Sequence, residues 1–212
     1  PAVVEAALEA HPEVTHLAIV HCETTSGVLN PVEEVGALAA ARGVTYFVDS
    51  MSAFGAVPID LEACHVDFLV SSANKCIEGV PGFGFALCRR QALDSCEGRA
   101  RSLSLDLHAQ WKGLESNGQF RFTPPTHALL AFRRALTELE EEGGVAGRQA
   151  RYQANHAIIL AGIKELGLVP YVPEEHQCWI ITSVRFPEDP DFSFEVFYDR
   201  LNERGFVIYP GK

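Results

Sequence analysis

The sequence predicts an α/β protein: a mostly parallel sheet flanked by helices, plus part of a small C-terminal α/β domain. Three observations carry this. Short apolar runs at 16–20, 44–48 and 66–70 alternate with helical or helix-like stretches, an order that predicts parallel strands joined by right-handed crossovers. The middle run is short, rich in β-formers and apolar on both faces, as a strand between helix layers must be. Polar and reactive residues (Thr24, Asp49 and Lys75) follow the ends of these runs. In such sheets the C-terminal strand ends form the binding edge, so these three residues are expected on one rim.

In chain order, residues 2–10 read as a helix stopped near Pro12, and 16–20 as a strand that leads into a hydroxyl-rich turn at 23–27. Pro31 sits where a helix starts, and 32–42 is that helix, closed by Gly43. The strand at 44–48 delivers Asp49, a helix-like segment at 61–65 follows, and 66–70 is the third strand. Residues 83–88 read as a strand that returns antiparallel, while 99–122 show no period and read as irregular. Thr126 is a candidate N-cap for a helix over 127–142, and the acidic run ending at Glu142 with Gly143 and Gly144 marks a boundary. The domains are therefore placed at 1–142 and 143–212. The second holds a long helix at 145–166, strand-like 168–172 and 179–186, a helix stopped at Gly205 and a last strand at 206–209. Pro1 in place of an initiator methionine, and Lys212 directly after that last strand, are read as cuts in a longer chain.

Composition narrows the function. With 17 basic and 28 acidic residues the net charge is −11, and no basic stripe is present, so nucleic-acid and acidic-membrane partners are not expected. No apolar run is long enough to span a bilayer, and the start does not read as a signal peptide. Six cysteines without a CxxC pair suit free thiols in a reducing cytoplasm, and the histidines lack ligand spacing, so no metal site is expected.

The chemistry is sought in residues 66–85. A buried strand is followed by small residues (Ser71, Ser72, Ala73), then Asn74 and Lys75, then a loop punctuated by Gly79, Pro81, Gly82 and Gly84. Small neighbours leave room for a flat ring, and apolar walls are expected to desolvate the amine. Asp49 on the neighbouring strand end could simply form an ion pair with Lys75. The two could instead be opposite ends of a pyridoxal 5'-phosphate site, the lysine holding the cofactor and the acid partnering its ring nitrogen.

The stretch 66–85 resembles the cofactor-attachment signature of class V aminotransferases, with Asn74 where His or Gln is usual. HCETTSGVLNP (21–31), VDSMSAFG (48–55), SSANKCIEGVPG (71–82), RSLSLDL (101–107), RFTPPTH (121–127) and GFVIYPGK (205–212) extend the resemblance over essentially the whole chain, toward the phosphonate-handling branch. The resemblance implies fold type I and a homodimer whose sites are shared between subunits. It implies transfer of an amino group from 2-aminoethylphosphonate to pyruvate. Lys75 and Asp49 would be catalytic. Thr24 would sit beside the ring's 3-hydroxyl, Met51 against a ring face, and Asn74 near the phosphate. Thr123, with Phe120 near it, would reach the phosphate of the neighbouring subunit. On the residues alone, Thr123 is equally a helix-start residue and Met51 ordinary core packing. The resemblance also implies a phosphate-cradling loop and a ring-stacking aromatic before Pro1, and a substrate-binding arginine beyond Lys212. Alanine–glyoxylate or serine–pyruvate exchange is an alternative at the same site. A non-covalent nucleotide-binding module is the alternative of another class, although the loop lacks GxxxxGK[ST] and precedes a strand rather than a helix.

Overall fold

The computed structural model describes residues 1–210 as two units, the first Pro1–His21 with Asn30–Gln149 and the second Cys22–Leu29 with the chain from Ala150 on. The first unit is built on four strands in the order β1 (His16–Val20), β2 (Thr45–Asp49), β3 (Phe68–Ser72) and β4 (Gly84–Cys88). The first three run parallel and β4 returns antiparallel, as the sequence predicts. The register sets Val20 beside Asp49 and Asp49 beside Val70, which levels the ends of β1 and β2 while β3 runs two residues further to Ser72.

The strands form where β-branched and aromatic residues can bury a face, Tyr46 and Val48 of β2 being almost wholly buried. The core they create holds Leu8 of α1 (Ala2–Ala10), Val32, Val35 and Ala39 of α2 (Val32–Ala41), and Leu69 of β3. The α2 helix ends as expected, with Gly43 in the left-handed region (φ +64°) just beyond it. The Tyr46 hydroxyl donates to the Val32 carbonyl (2.9 Å), so the one polar atom of this buried ring is satisfied at the start of α2. Tyr46 N–H also donates to Asp67 Oδ2 (2.9 Å), and Asp67 N–H returns a bond to the Tyr46 carbonyl (3.0 Å), fixing the entry to β3.

Several local expectations change. β3 begins at Phe68 rather than residue 66 and carries Ser71 and Ser72 inside the strand, paired with Phe85 and Gly84. Residues 61–65 form turns, not a helix. Asp60 Oδ1 caps the N–H groups of Glu62 and Ala63 (2.9 and 3.0 Å), and His65 at φ +53° ends the single turn before a helix can propagate. The stretch 99–122 is not irregular throughout: α3 (Arg90–Asp94) precedes it and α4 (Leu107–Asn117) lies within it. The side chain of Asp106 caps α4 through Ala109 N–H (2.9 Å), and Gly118 closes it at φ +71°. Thr126 is the first residue of α5 (Thr126–Glu141), not its cap. Pro125 holds the cap position and no side chain bonds the open turn.

The division of the chain also differs from the boundary expected at 142/143. The α6 helix (Gly144–Glu165) begins inside the first unit because its first turns are tied there by Arg148. The second unit holds the rest of α6, α7 (Phe194–Asn202), a 3₁₀ turn at Glu174–His176 and the returned loop Cys22–Leu29. Among the described residues it has no strand. The predicted strands at 168–172 and 179–186 touch at one bridge, Pro170 with Val184, flanked by bonds from Tyr171 N–H to Ser183 O (2.8 Å) and from Arg185 N–H to Val169 O (2.9 Å). The expected strand at 206–209 has no ladder within the described residues, and Phe206, Val207 and Tyr209 are exposed. No described helix is long and apolar enough to cross a membrane.

Gly36 shows how closely α2 is seated. A Cβ there would lie 2.0 Å from the Cys64 carbonyl oxygen and 3.0 Å from the Tyr46 ring. Gly36→Ala is therefore expected to lower the unfolding free energy by about 2–3 kcal/mol in urea titration, although alanine is the better helix former. An unchanged midpoint would mean that α2 is free to move off the sheet.

Candidate active site

Asp49 is the last residue of β2, and Lys75 lies three residues past the end of β3. Because these strands are parallel neighbours, both residues stand at the same sheet edge. The Asp49 main chain is held from both sides. Its carbonyl accepts His21 N–H from the end of β1 (2.7 Å), and Ser50 N–H donates to Val70 of β3 (2.9 Å). Its carboxylate Oδ1 accepts Met51 N–H (2.9 Å), a short loop that turns the half-buried acid at the strand end.

Beneath Asp49 lies a polar layer. His21 Nδ1 and Ser50 Oγ are 2.9 Å apart, and Ser71 Oγ donates to the Ser50 carbonyl (3.4 Å). All three side chains are buried. Burial pushes the His21 pKa down to about 4, so the ring is neutral at physiological pH and shares one proton position with Ser50 according to its tautomer.

Lys75 rides on a tightly tied loop. Ala73 N–H donates to Phe83 O (3.3 Å), Gly79 N–H to Ala73 O (2.8 Å) and Glu78 N–H to Lys75 O (2.8 Å). Cys76 Sγ donates to Ser52 O (3.3 Å), joining this loop to the one that follows Asp49. Ala73, Cys76 and Ile77 are buried, but Lys75 itself is exposed. The expected apolar walls do not enclose the amine among the described residues; the buried neighbours anchor the backbone and leave the side chain in solvent. Nor do the two charges neutralise each other: among the described residues Lys75 has no ion pair, and Asp49 accepts only the Met51 N–H at its carboxylate. The simple salt-bridge alternative is thus not what the structure shows.

The other sequence candidates are spread. Met51 is partly exposed, and its Cε lies 3.9 Å from where a Cβ on Gly84 would stand, so it packs over the start of β4. Asn74 is half-buried beside Lys75. Phe120 and Thr123 line an open concavity of about 800 Å³ formed by residues 118–124, a lining that includes neither Asp49 nor Lys75. Thr24 lies in an exposed turn of the second unit, closed by Gly27 N–H to Glu23 O (2.8 Å) and tied by Cys178 N–H to Gly27 O (2.8 Å). Within the first unit the edge accordingly gathers Asp49, Met51, Asn74 and Lys75. His21, Ser50, Ser71 and Cys76 escape sequence reasoning, although a histidine directly after β1 and a serine directly after Asp49 are visible signals in hindsight.

The buried histidine has a measurable signature. The unfolded chain takes up a proton near the ordinary value of 6.5 and the folded chain only near 4. The unfolded state thus binds more protons in that window, and stability falls as pH drops from about 6.5 toward 4. His21→Gln is expected to flatten this slope in urea titrations across the window, leaving values above pH 7 less affected. Parallel slopes for both proteins would place the acid sensitivity elsewhere.

The family "Aminotransferase class-V" matches residues 3–194. The 2-aminoethylphosphonate–pyruvate transaminase of Aeromonas hydrophila subsp. hydrophila is 57% identical over 212 residues, which is 100% of this chain and 56% of that protein. The protein of the same name from Salmonella schwarzengrund is 56% identical over 210 residues, 99% of this chain and 57% of its own. Among solved structures, pyridoxamine–pyruvate aminotransferase from Mesorhizobium loti superposes with a TM-score of 0.90 at 27% identity, covering 100% of this chain and 55% of that one. Alanine–glyoxylate aminotransferase from Nostoc sp. gives 0.87 at 28% identity, over 99% and 55%. The chain spans little more than half the length of these relatives. Since the family match takes in nearly all of the sequence, the chain belongs to the class-V aminotransferases.

Proposed function

We propose that this chain carries the chemical centre of a pyridoxal 5'-phosphate enzyme that moves the amino group of 2-aminoethylphosphonate to pyruvate, giving phosphonoacetaldehyde and L-alanine. The observation that carries the reading is the pair of unneutralised groups, a carboxylate and an amine, at adjacent parallel strand ends. The residues present fit the cofactor: an acid that lacks a cationic partner can pair with a protonated ring nitrogen, and an exposed amine can reach an aldehyde. Relatives that share more than half of the residues across the whole chain supply the substrate pair.

When bound, the cofactor supplies an electron sink for the carbon that loses its proton. Lys75 Nζ would hold the cofactor, and as a free amine would take the proton from the amine-bearing carbon of the substrate. Asp49 keeps the ring nitrogen protonated, its carboxylate aimed by Met51 N–H and its main chain clamped by β1 and β3. Met51 and Asn74 would help to hold the cofactor's ring and phosphate, and Thr24 would be a further cofactor-binding residue. Phe120 and Thr123 serve the site of a second copy, so the working form is a homodimer. Six free thiols among the described residues fit a cytoplasmic setting.

Lys75→Ala is expected to abolish turnover and to remove the pyridoxyl-peptide mass seen after borohydride reduction; persistent turnover would refute the covalent role. Asp49→Asn should keep the fold and lower kcat on the order of a hundredfold or more, since it removes charge stabilisation at the ring. A rate within a few-fold of the parent would remove Asp49 from the mechanism. Rates with 2-aminoethylphosphonate, alanine and serine as donors, measured side by side, check the substrate, and a preference for either amino acid would favour the alternative exchange reactions.

A further inference from the structure

We propose that Arg148 is a positioning residue for Lys75, acting through the carbonyl group of the residue that follows it. The inference deepens the covalent reading of Lys75 and rests on it. Arg148 lies in the second turn of α6, is 2% exposed, and is the bulkiest fully buried side chain among the described residues. Its Nη1 donates to the Cys76 carbonyl (2.5 Å), across a sequence separation of 72 residues. Its Nε donates to Glu142 Oε2 (2.5 Å), and Nη1 stands 3.5 Å from Glu78 Oε2. A guanidinium taken out of water must be paired and hydrogen-bonded, and here two carboxylates and one carbonyl supply the partners.

The placement of these partners separates this arrangement from a generic buried ion pair. After Lys75, two successive carbonyls are fixed, Lys75 O by Glu78 N–H (2.8 Å) and Cys76 O by Arg148. Glu78 adopts left-handed backbone (φ +64°), where glycine or asparagine would be usual. Glu78 adopts this unfavourable conformation with its carboxylate beside the buried guanidinium. Gly79 has no room for a side chain, since a Cβ would meet Ala73 O at 2.6 Å. The loop therefore has one ordered path, and Arg148 holds its far side. Removing the guanidinium would take from the buried Cys76 carbonyl the donor that Arg148 supplies. The loop would then recover a partner by turning its peptide groups, and the root of the Lys75 side chain would turn with them.

The test uses the holoenzyme with Arg148→Gln, Arg148→Lys and Glu142→Gln. Arg148→Gln is expected to lower kcat at saturating amine about 10- to 100-fold, the scale of an ångström-sized misplacement, while KM changes less than about threefold. Arg148→Lys, which keeps one donor and the charge, should recover part of that loss. In cofactor-free protein, the rate at which an acylating reagent labels Lys75, read by peptide mass spectrometry, should change several-fold in Arg148→Gln, with Lys112 labelled as before. A fall in melting temperature alone, with kcat and Lys75 labelling within twofold of the parent, overturns the inference. Should Arg148→Gln fail to fold, Glu142→Gln decides: it keeps the guanidinium but replaces the carboxylate at Nε by a neutral amide, and a several-fold lower kcat supports the proposal while an unchanged one sinks it. Lys75→Ala separates the two levels. Turnover without Lys75 defeats the underlying reading, whereas a dead Lys75→Ala beside normal Arg148 variants defeats only the positioning role.

Discussion

The parallel register of β1, β2 and β3 is the constraint on which the candidate site depends. Levelling Val20, Asp49 and Val70 brings residues far apart in sequence to one edge, and no local preference could do this. It also turns main-chain hydrogen bonds into positioning devices. The N–H after β1 bonds the Asp49 carbonyl, and the N–H after β2 bonds Val70. The acid thus stands at the end of β2, held between the end of β1 and the body of β3.

Polar groups buried under that edge tie it together more sharply than apolar packing could. Apolar contacts tolerate small shifts, whereas the His21–Ser50 pair and the Ser71 bond to the Ser50 carbonyl lose their partners if the edge slides. The same logic holds on the other side of the rim, where Arg148 meets Cys76, Glu78 and Glu142. The result at Lys75 is a tied backbone below and a solvent-exposed side chain above.

Sequence reading recovers the strand order because the runs at 16–20 and 44–48 are apolar and β-rich, and it finds Asp49 and Lys75 because each breaks an apolar pattern at the end of a strand. It cannot find the bonds from Arg148 to Cys76 or from His21 to Ser50, which span 72 and 29 residues and whose meaning exists only after folding. It misses α4 because that helix lacks a clear apolar stripe and is announced mainly by its Asp106 cap and closing glycine. In the second unit the errors run the other way. Residues 168–172, 179–186 and 206–209 have β-forming side chains, yet among the described residues they find almost no partner strand, and a strand is defined by its neighbour. The placement of Thr24 in that unit was likewise beyond reach, because a short loop can fold with residues 150 positions later without leaving a local sign.

The Cys76 thiol, wedged against Ser52 O, acts as a spacer between the loop after Asp49 and the loop that carries Lys75. Whatever occupies that position sets how far apart the acid and the amine are held. A bulkier side chain, or an alkyl adduct on the sulfur, would pry the two loops open and detune the pair without touching either member. Steric volume at a residue with no chemistry of its own thus becomes a control on the reach of the lysine.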